Sequence, residues 1–299
     1  MLFSACIETG LEYKWSRYVP QKAGETTRPS NKTINRKSEI VNRMTRIHAL
    51  VNQKGGVGKT TTVINLGAFL AYLGQRVLVV DIDPQANATS SLGVDKRAVQ
   101  SSTYEALLSE DIPVSSILFN ERLKLSLLPS SPSLAGAEIE LVEESSREFR
   151  LRNALQTLNA KYDYILIDCP PSLGLLTVNG LVASRDGVLI PVQCEYLALE
   201  GLGLITQTIE RVRSVLFPDL RVRGVILTMF DPRTNLSSDV VKEVNNHFPG
   251  QVFKSIVPRS IRLAEAPSYG LPISAYAPSS VGAKAYEALA RELLNGDGK

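Results

Sequence analysis

A glycine-rich run at residues 53–61 constrains the fold of this chain more than any other feature of the sequence. The run reads Gln-Lys-Gly-Gly-Val-Gly-Lys-Thr-Thr, between a strand-like apolar segment at 47–51 and a helix-like segment at 63–70. Glycines let successive backbone N–H groups turn inward around phosphate oxygens, and the helix that follows directs its positive end to the same place. The pattern therefore predicts a phosphate-binding loop rather than a plain strand-to-helix turn.

The side chains of this loop fit the chemistry of a bound nucleotide triphosphate. We expect Lys59 to reach the outer phosphates and the Thr60 hydroxyl to ligate Mg²⁺ directly. The other loop residues expected at the nucleotide are Lys54, Gly55, Gly56, Val57, Gly58 and Thr61.

Two acidic strand ends complete the predicted site. An apolar run at 77–80 is followed by Asp81 and Asp83, and another at 164–167 is followed by Asp168. Ligands of parallel sheets gather at the carboxyl ends of the strands, so both positions fall beside the phosphate loop. We expect Asp168 to hold Mg²⁺ through water and Asp83 to orient the attacking water. Either aspartate alone would more often be a strand-end cap.

The remaining chain alternates between strand and helix patterns, which predicts an α/β fold with a mostly parallel sheet and helices on both faces. Predicted strands lie at about 123–128, 163–168, 187–193, 222–230 and 251–257. Predicted helices lie at about 134–159, 174–184, 199–216, 236–247 and 281–294. We expect one domain over residues 44–299.

Cysteine usage and hydropathy exclude several classes of protein. The three cysteines, Cys6, Cys169 and Cys194, form neither a disulfide framework nor a metal-binding pattern. They fit a reducing cytosol. Because no apolar run approaches about 18 residues, no membrane span is predicted.

Lys54 gives the loop a distinctive form, because the common pattern has a glycine in place of Gln53 and lacks the early lysine. An early lysine marks the deviant Walker A class of P-loop NTPases, which this loop resembles. Further segments resemble the ParA/Soj family of partition ATPases in order and spacing, over residues 44–294. The matching segments are 54–62, 81–87, 168–172, 191–193 and 256–259.

The resemblance implies a P-loop NTPase fold and an ATPase that uses ATP and Mg²⁺. It implies a sandwich homodimer formed on ATP binding, in which Lys54 reaches the phosphates of the partner subunit. It further implies nonspecific binding to double-stranded DNA, and release when a ParB/Spo0J-like centromere-binding protein stimulates hydrolysis. Pro258 and Ser260 match positions against the adenine. The implied location is cytoplasmic and nucleoid-associated, and the cargo can be a chromosome or a plasmid.

Basic residues are concentrated between positions 211 and 262, where nine basic groups stand against four acidic ones, a local charge of +5. Such a face can neutralise DNA phosphates without reading bases. A solvated charged surface is the alternative. The family resemblance favours four residues as DNA contacts. They are Arg233, Arg259, Arg262 and Lys242.

Residues 1–43 differ from the rest in lacking sustained periodicity, and they contain the only tryptophan, Trp15. They hold eight basic and four acidic groups, a net charge of +4. We expect a disordered extension, or a gene model that begins at an upstream start codon. A targeting peptide is disfavoured because the segment has no continuous apolar region. A basic arm that adds DNA affinity is a further alternative.

Other members of the same loop class offer alternative functions. A MinD-like, membrane-associated division-site ATPase needs a terminal basic amphipathic helix, and residues 292–299 are too short and polar for one. A reductase component like the nitrogenase iron protein needs paired cysteines at a cluster between subunits, which Cys169 and Cys194 do not match. A scaffold that does not hydrolyse nucleotide is the third alternative.

Overall fold

One sheet organises the computed structural model, which describes residues 13–18, 44–196 and 198–297. Within those residues the sheet has eight strands, in the order β1-β4-β5-β3-β6-β2-β7-β8. The strands are β1 Trp15–Arg17, β2 Arg46–Leu50, β3 Val77–Asp81, β4 Leu118–Asn120, β5 Leu125–Leu128, β6 Tyr164–Asp168, β7 Val188–Gln193 and β8 Val222–Thr228. The pairs from β5 to β8 are parallel, whereas β4 runs antiparallel to both β5 and β1. This confirms the predicted mostly parallel sheet.

Helices cover both faces of the sheet. They are α1 Lys59–Tyr72, α2 Asn87–Ser91, α3 Thr103–Ser109, α4 Leu134–Glu140, α5 Arg150–Gln156, α6 Leu175–Ala183, α7 Ala198–Val215, α8 Asn235–His247, α9 Ile261–Glu265, α10 Ile273–Tyr276 and α11 Val281–Asp297. Strand side chains alternate between two hydrophobic clusters. In β6, for example, Ile165 and Ile167 pack with α3 to α8, whereas Tyr164 and Leu166 pack with α1 and α11. A strand buried on both faces is apolar along its whole length, which explains the continuous runs in the sequence.

The register of the central strands brings three carboxyl ends together. Leu50 of β2 and Asp81 of β3 both lie beside Asp168 of β6. Strand β7 begins beside the end of β2, because Val51 donates a backbone hydrogen bond to the Leu189 carbonyl, and β7 continues beyond this point to Gln193.

The prediction of one continuous helix over 134–159 is wrong. Helix α4 ends at Glu140, a 3₁₀ turn covers Leu141–Glu143, and α5 begins only at Arg150. Ser146 adopts a left-handed backbone conformation with φ of 54°, which a right-handed helix cannot contain.

The predicted strand at 251–257 is also wrong. Isolated bridges join this segment to the sheet, from Val252 to Val225 and from Pro258 to Phe230, and the Val257 N–H donates to the Leu227 carbonyl. The ladder is interrupted between them because the N–H groups of Lys254 and Ser255 donate to the Glu292 carboxylate instead of to β8.

Residues 13–18 of the N-terminal extension belong to the sheet. They add β1 antiparallel to β4 at the edge of the sheet, with Trp15 opposite Asn120 and Arg17 opposite Leu118. The other residues of this extension lie outside the described part of the chain.

Candidate nucleotide-binding site

The phosphate loop joins the end of β2 to the first residue of α1. Gly56 and Gly58 have φ values of 76° and 89°, in the left-handed region that favours glycine. No side chain caps the first turn of α1, and that turn contains no acidic residue. A Cβ atom placed on Gly55 or Gly56 would meet nothing within 4 Å, so the loop borders open space. This arrangement leaves the positive end of α1 available to an anion.

Two polar side chains from outside the motif hold the loop in shape. Asn52 donates from Nδ2 to the Pro191 carbonyl at 2.7 Å, and its Oδ1 accepts the Lys54 N–H at 3.0 Å. Thr228, at the end of β8, donates from Oγ1 to the Val57 carbonyl at 2.8 Å. The sequence motif does not identify these residues, because the contacts join the loop to Pro191 in β7 and to Thr228 in β8, both far away in the chain.

Lys59 lies in the first turn of α1 and is buried, with 7% of the residue exposed. Its Nζ donates to the Lys54 carbonyl at 3.3 Å. Burial lowers the pKa of Lys59, and the nearby carboxylates of Asp168 and Asp83 oppose that shift. A phosphate group would supply the counter-charge that a buried ammonium needs.

Thr60 and Asp168 form a pair at the mouth of the loop. The Thr60 Oγ1 donates to Asp168 Oδ2 at 2.8 Å. The second oxygen, Oδ1, is buried and has no hydrogen-bond partner among the described residues. Burial raises the pKa of Asp168 well above its ordinary value, and the charge of Asp81 adds to the shift.

The Thr60–Asp168 pair fits Mg²⁺. Burying a carboxylate oxygen without a hydrogen-bond partner costs free energy of folding. A hydrated cation would offset this cost, because one of its water molecules could donate a hydrogen bond to Asp168 Oδ1. Across the described residues, no cluster of three or more His, Cys, Asp or Glu side chains can hold a metal. The remaining ligands would therefore come from phosphate and water, as is usual for Mg²⁺ at nucleotide sites.

Asp81 and Asp83 have different environments, although they are two residues apart. Asp81 is fully buried, and it accepts hydrogen bonds from the Thr89 N–H, the Thr89 hydroxyl and the Asp83 N–H. Burial raises the pKa of Asp81 to about 6, although the Thr89 bonds lower it. Asp81 therefore holds the backbone of the segment that carries Asp83.

The Asp83 carboxylate accepts fewer hydrogen bonds than that of Asp81 among the described residues. Its Oδ1 accepts the Gln85 N–H at 2.9 Å, and its backbone carbonyl accepts the Ser130 hydroxyl at 2.8 Å. The charge of Asp83 raises the pKa of both Lys59 and Asp168, so the three groups share one site. Its role in orienting water stays a prediction.

The Lys54 side chain is partly exposed and lies near α7, 3.6 Å from a Cβ atom placed on Gly201. Within the described part of the chain, the Lys54 ammonium makes no hydrogen bond or ion pair. Pro258 and Ser260 lie beyond β8, next to the strand end that contacts the loop through Thr228. Both are partly exposed, and their contact with adenine stays a prediction.

The predicted DNA contacts are all exposed, and each forms an ion pair with a neighbour. Arg233 binds both oxygens of Asp231, at 2.9 and 2.7 Å. Arg259 pairs with Glu195, and its N–H donates to the Phe230 carbonyl, which places it beside Asp231. Hydrogen bonds from Arg233 lower the pKa of Asp231 to about 2, and the charge of Arg259 contributes.

The other two candidates lie elsewhere on this surface. Lys242, in the middle of α8, lies 3.3 Å from Asp239, and Arg262, in α9, lies 2.9 Å from Glu265. The structure therefore brings Arg233 and Arg259 together around Asp231, whereas Lys242 and Arg262 each pair within their own helix. DNA binding by all four stays a prediction.

Comparisons with known proteins match most of the chain. A family model described as an AAA domain matches residues 45–222. The chromosome partitioning protein ParA of Myxococcus xanthus is 54% identical over 253 residues, covering 84% of this chain and 89% of that protein. The sporulation initiation inhibitor protein Soj of Bacillus subtilis is 54% identical over 250 residues, covering 84% and 98%.

Solved structures share the fold. A crystal structure of cobyrinic acid a,c-diamide synthase from Mycobacterium smegmatis, with bound ATP analogue and magnesium, is 40% identical with a TM-score of 0.75, covering 85% of this chain and 96% of that one. The cell division ATPase MinD of Pyrococcus furiosus is 26% identical with a TM-score of 0.68, covering 84% and 99%. Among the described residues, no helix has the length and apolar character to cross a membrane.

Proposed function

Because this chain belongs to the ParA/Soj family of partition ATPases, we propose that it hydrolyses ATP to ADP and phosphate in order to partition DNA. One observation carries the proposal, namely the Thr60–Asp168 pair with its unpartnered carboxylate oxygen at the positive end of α1. That arrangement suits Mg²⁺ with a nucleotide triphosphate.

Phosphoryl transfer needs positioning and charge neutralisation more than covalent chemistry. The backbone N–H groups of the loop cradle the phosphates, and Lys59 neutralises the charge that develops on the outer oxygens. The Thr60 hydroxyl and, through water, Asp168 would hold Mg²⁺, which would supply a Lewis acid at the phosphate oxygens. Asp83 orients the attacking water for in-line displacement.

The proposed active form is a homodimer closed around two ATP molecules. Lys54 supports this assignment, because its ammonium has no partner within its own described protomer. Large exposed hydrophobic side chains also follow the carboxyl ends of β6, β7 and β8. Exposed apolar groups of this kind suit an interface with a second protomer. These side chains are Leu173, Tyr196, Leu236 and Ile261.

The dimer binds double-stranded DNA without sequence preference, through Arg233 and Arg259 together with Arg262 and Lys242. Phosphates would replace the intramolecular carboxylates that now pair with these side chains. A ParB/Spo0J-like centromere-binding protein stimulates hydrolysis and releases the DNA. The protein is thus cytoplasmic and nucleoid-associated while ATP is bound.

The test is an ATPase assay with and without nonspecific duplex DNA and the candidate partner, together with sizing of the protein in ATP. Lys54→Ala should keep ATP binding but lose dimerisation and stimulated hydrolysis. Lys161→Ala, an exposed lysine just before the amino end of β6, is the matched control. Normal stimulated turnover in Lys54→Ala would refute the role in trans. Co-sedimentation with liposomes instead of DNA would favour the MinD-like alternative.

A further inference from the structure

The short N-terminal strand has contacts that a passive edge strand would not need. We define residues 13–18 as the N-terminal strap; it precedes the family match, which starts at residue 45. Beyond the pairing of β1 with β4, the Tyr18 N–H donates to the Ile117 carbonyl at 2.9 Å. Tyr18 packs against Phe119 and Tyr162 on one face of the sheet, with ring centres 6.3 and 6.4 Å away.

Trp15 packs on the opposite face, where it joins the hydrophobic cluster of α1 and α11. Its indole N–H donates to the Leu92 carbonyl at 2.8 Å. Leu92 is the C-cap of α2, and carbonyls at the end of a helix lack partners within the helix. Trp15 therefore supplies a donor that α2 cannot supply for itself. Arg17 adds a second tie, from Nη2 to the Gln100 Oε1 at 2.7 Å.

The helix that Trp15 caps is connected to Asp83. Residues 84–86 link Asp83 directly to α2, and Thr89 of α2 donates twice to Asp81. Asp81 in turn accepts the Asp83 N–H. A short series of hydrogen bonds and helix backbone therefore runs from Trp15 to the aspartate proposed to orient water.

We propose that Trp15 is a positioning residue, which holds α2 and thereby the backbone of Asp83 in its working place. The proposal rests on the proposed ATPase function for its catalytic consequence, but the hold of the strap on α2 is independent of that function. According to this proposal, residues 13–18 support the catalytic site of the ATPase and are not a disordered addition.

Trp15 is the only tryptophan in the chain, so its fluorescence reports docking of the strap directly. Emission of the full-length protein should be blue-shifted relative to the urea-unfolded chain, because the indole lies partly buried. Emission identical to that of the unfolded chain would overturn the proposal.

Hydrogen exchange tests the hold on α2. Trp15→Phe keeps an aromatic ring but removes the N–H donor, and a single net hydrogen bond corresponds to roughly a fivefold change in local opening. We expect amides of residues 87–94 to exchange about fivefold faster in this variant and faster still in Trp15→Ala. Ser16→Ala, an exposed position of the same strand, is the matched control and should leave exchange unchanged. Unchanged exchange in both Trp15 variants would contradict the proposal.

Steady-state ATPase kinetics separate positioning from general stabilisation. Trp15→Ala should lower kcat at least twofold and leave the KM for ATP unchanged, because the strap does not contact the phosphate loop. The kcat of Trp15→Phe should lie between that of Trp15→Ala and that of the wild type. An unchanged kcat in Trp15→Ala, despite faster exchange, would refute the positioning role. If the wild-type protein hydrolyses no ATP, the proposed function fails, and emission and exchange still decide whether the strap holds α2.

Discussion

Asp297 anchors the end of α11 to the amino edge of the sheet, and its replacement gives a measurable prediction. Arg223 donates from Nε to the Asp297 Oδ1 at 2.8 Å, and the Tyr164 hydroxyl donates to Oδ2 at 3.0 Å. The buried His48 places its Nε2 3.5 Å from the same Oδ2. Only 9% of the Asp297 side chain is exposed. This site is thus a nearly buried carboxylate with several polar partners.

Burial would raise the pKa of Asp297, but hydrogen bonds and charge from His48 and Arg223 outweigh it and lower the pKa to about 2, from an ordinary 3.8. Each pKa unit corresponds to about 1.4 kcal/mol, so the ionised carboxylate stabilises the fold by about 2 kcal/mol. A carboxyl whose pKa is lowered on folding contributes this stability above its unfolded pKa. The contribution is lost as the pH falls from about 4 to about 2.

We therefore expect Asp297→Asn to lower the free energy of unfolding by about 2 kcal/mol near neutral pH. The difference from the wild type should shrink as the pH falls below about 4. Urea unfolding followed by circular dichroism over a pH series measures both quantities.

The matched control for Asp297→Asn is Glu287→Gln, on the same helix. Glu287 pairs with Arg291 in solvent, where an ion pair contributes at most about 0.5 kcal/mol. Equal stability of Asp297→Asn and the wild type near neutral pH would refute the reasoning. A difference in the free energy of unfolding that stayed the same in acid would also contradict the reasoning, because the cause would then be packing rather than ionisation of Asp297.

Three further predictions concern the nucleotide and DNA sites. Asp83→Ala should lower turnover about 100-fold while keeping ATP binding, and it should trap the ATP dimer on DNA in filter-binding assays; rapid turnover would remove Asp83 from the mechanism. Because the pKa of Asp168 is raised, protons compete with Mg²⁺, so calorimetric Mg²⁺–ATP affinity should increase with pH. Asp168→Asn should weaken that dependence, and an equal slope would contradict the assignment. Arg233→Glu should bind ATP and dimerise but lose DNA retention, whereas Arg291→Glu, an exposed control on α11, should retain DNA.

Most of the parallel core could be predicted because its signal is local. Strands β3, β6 and β7 are apolar along nearly their whole length, and burial on both faces imposes that composition. The same reasoning predicted one helix where α4 and α5 stand. The backbone reversal at Ser146 has no signature in hydrophobic periodicity.

Trp15 shows a second limit of sequence reasoning. A three-residue strand has no periodicity to detect, and its partner β4 lies about 100 residues away in the chain. Only the tertiary structure provides the partners of this short segment. They are the edge of β4, which pairs with β1, and the Leu92 carbonyl, which accepts the Trp15 N–H.

The phosphate loop with Lys59 and Thr60 could be predicted from the sequence alone, since it depends on residue type and spacing within one strand–loop–helix unit. The strand-end aspartates could be predicted because the carboxyl ends of parallel strands meet at the same edge of a sheet. The separation of Asp81 from Asp83 was decided by tertiary structure, because Thr89 satisfies the first of these carboxylates through a fold-specific turn. Long-range contacts likewise fix the conformation of the loop, through the bond of Asn52 to Pro191 in β7 and the bond of Thr228 in β8 to Val57. Side chains separated by more than a hundred residues acquire a common function only when the sheet sets them side by side.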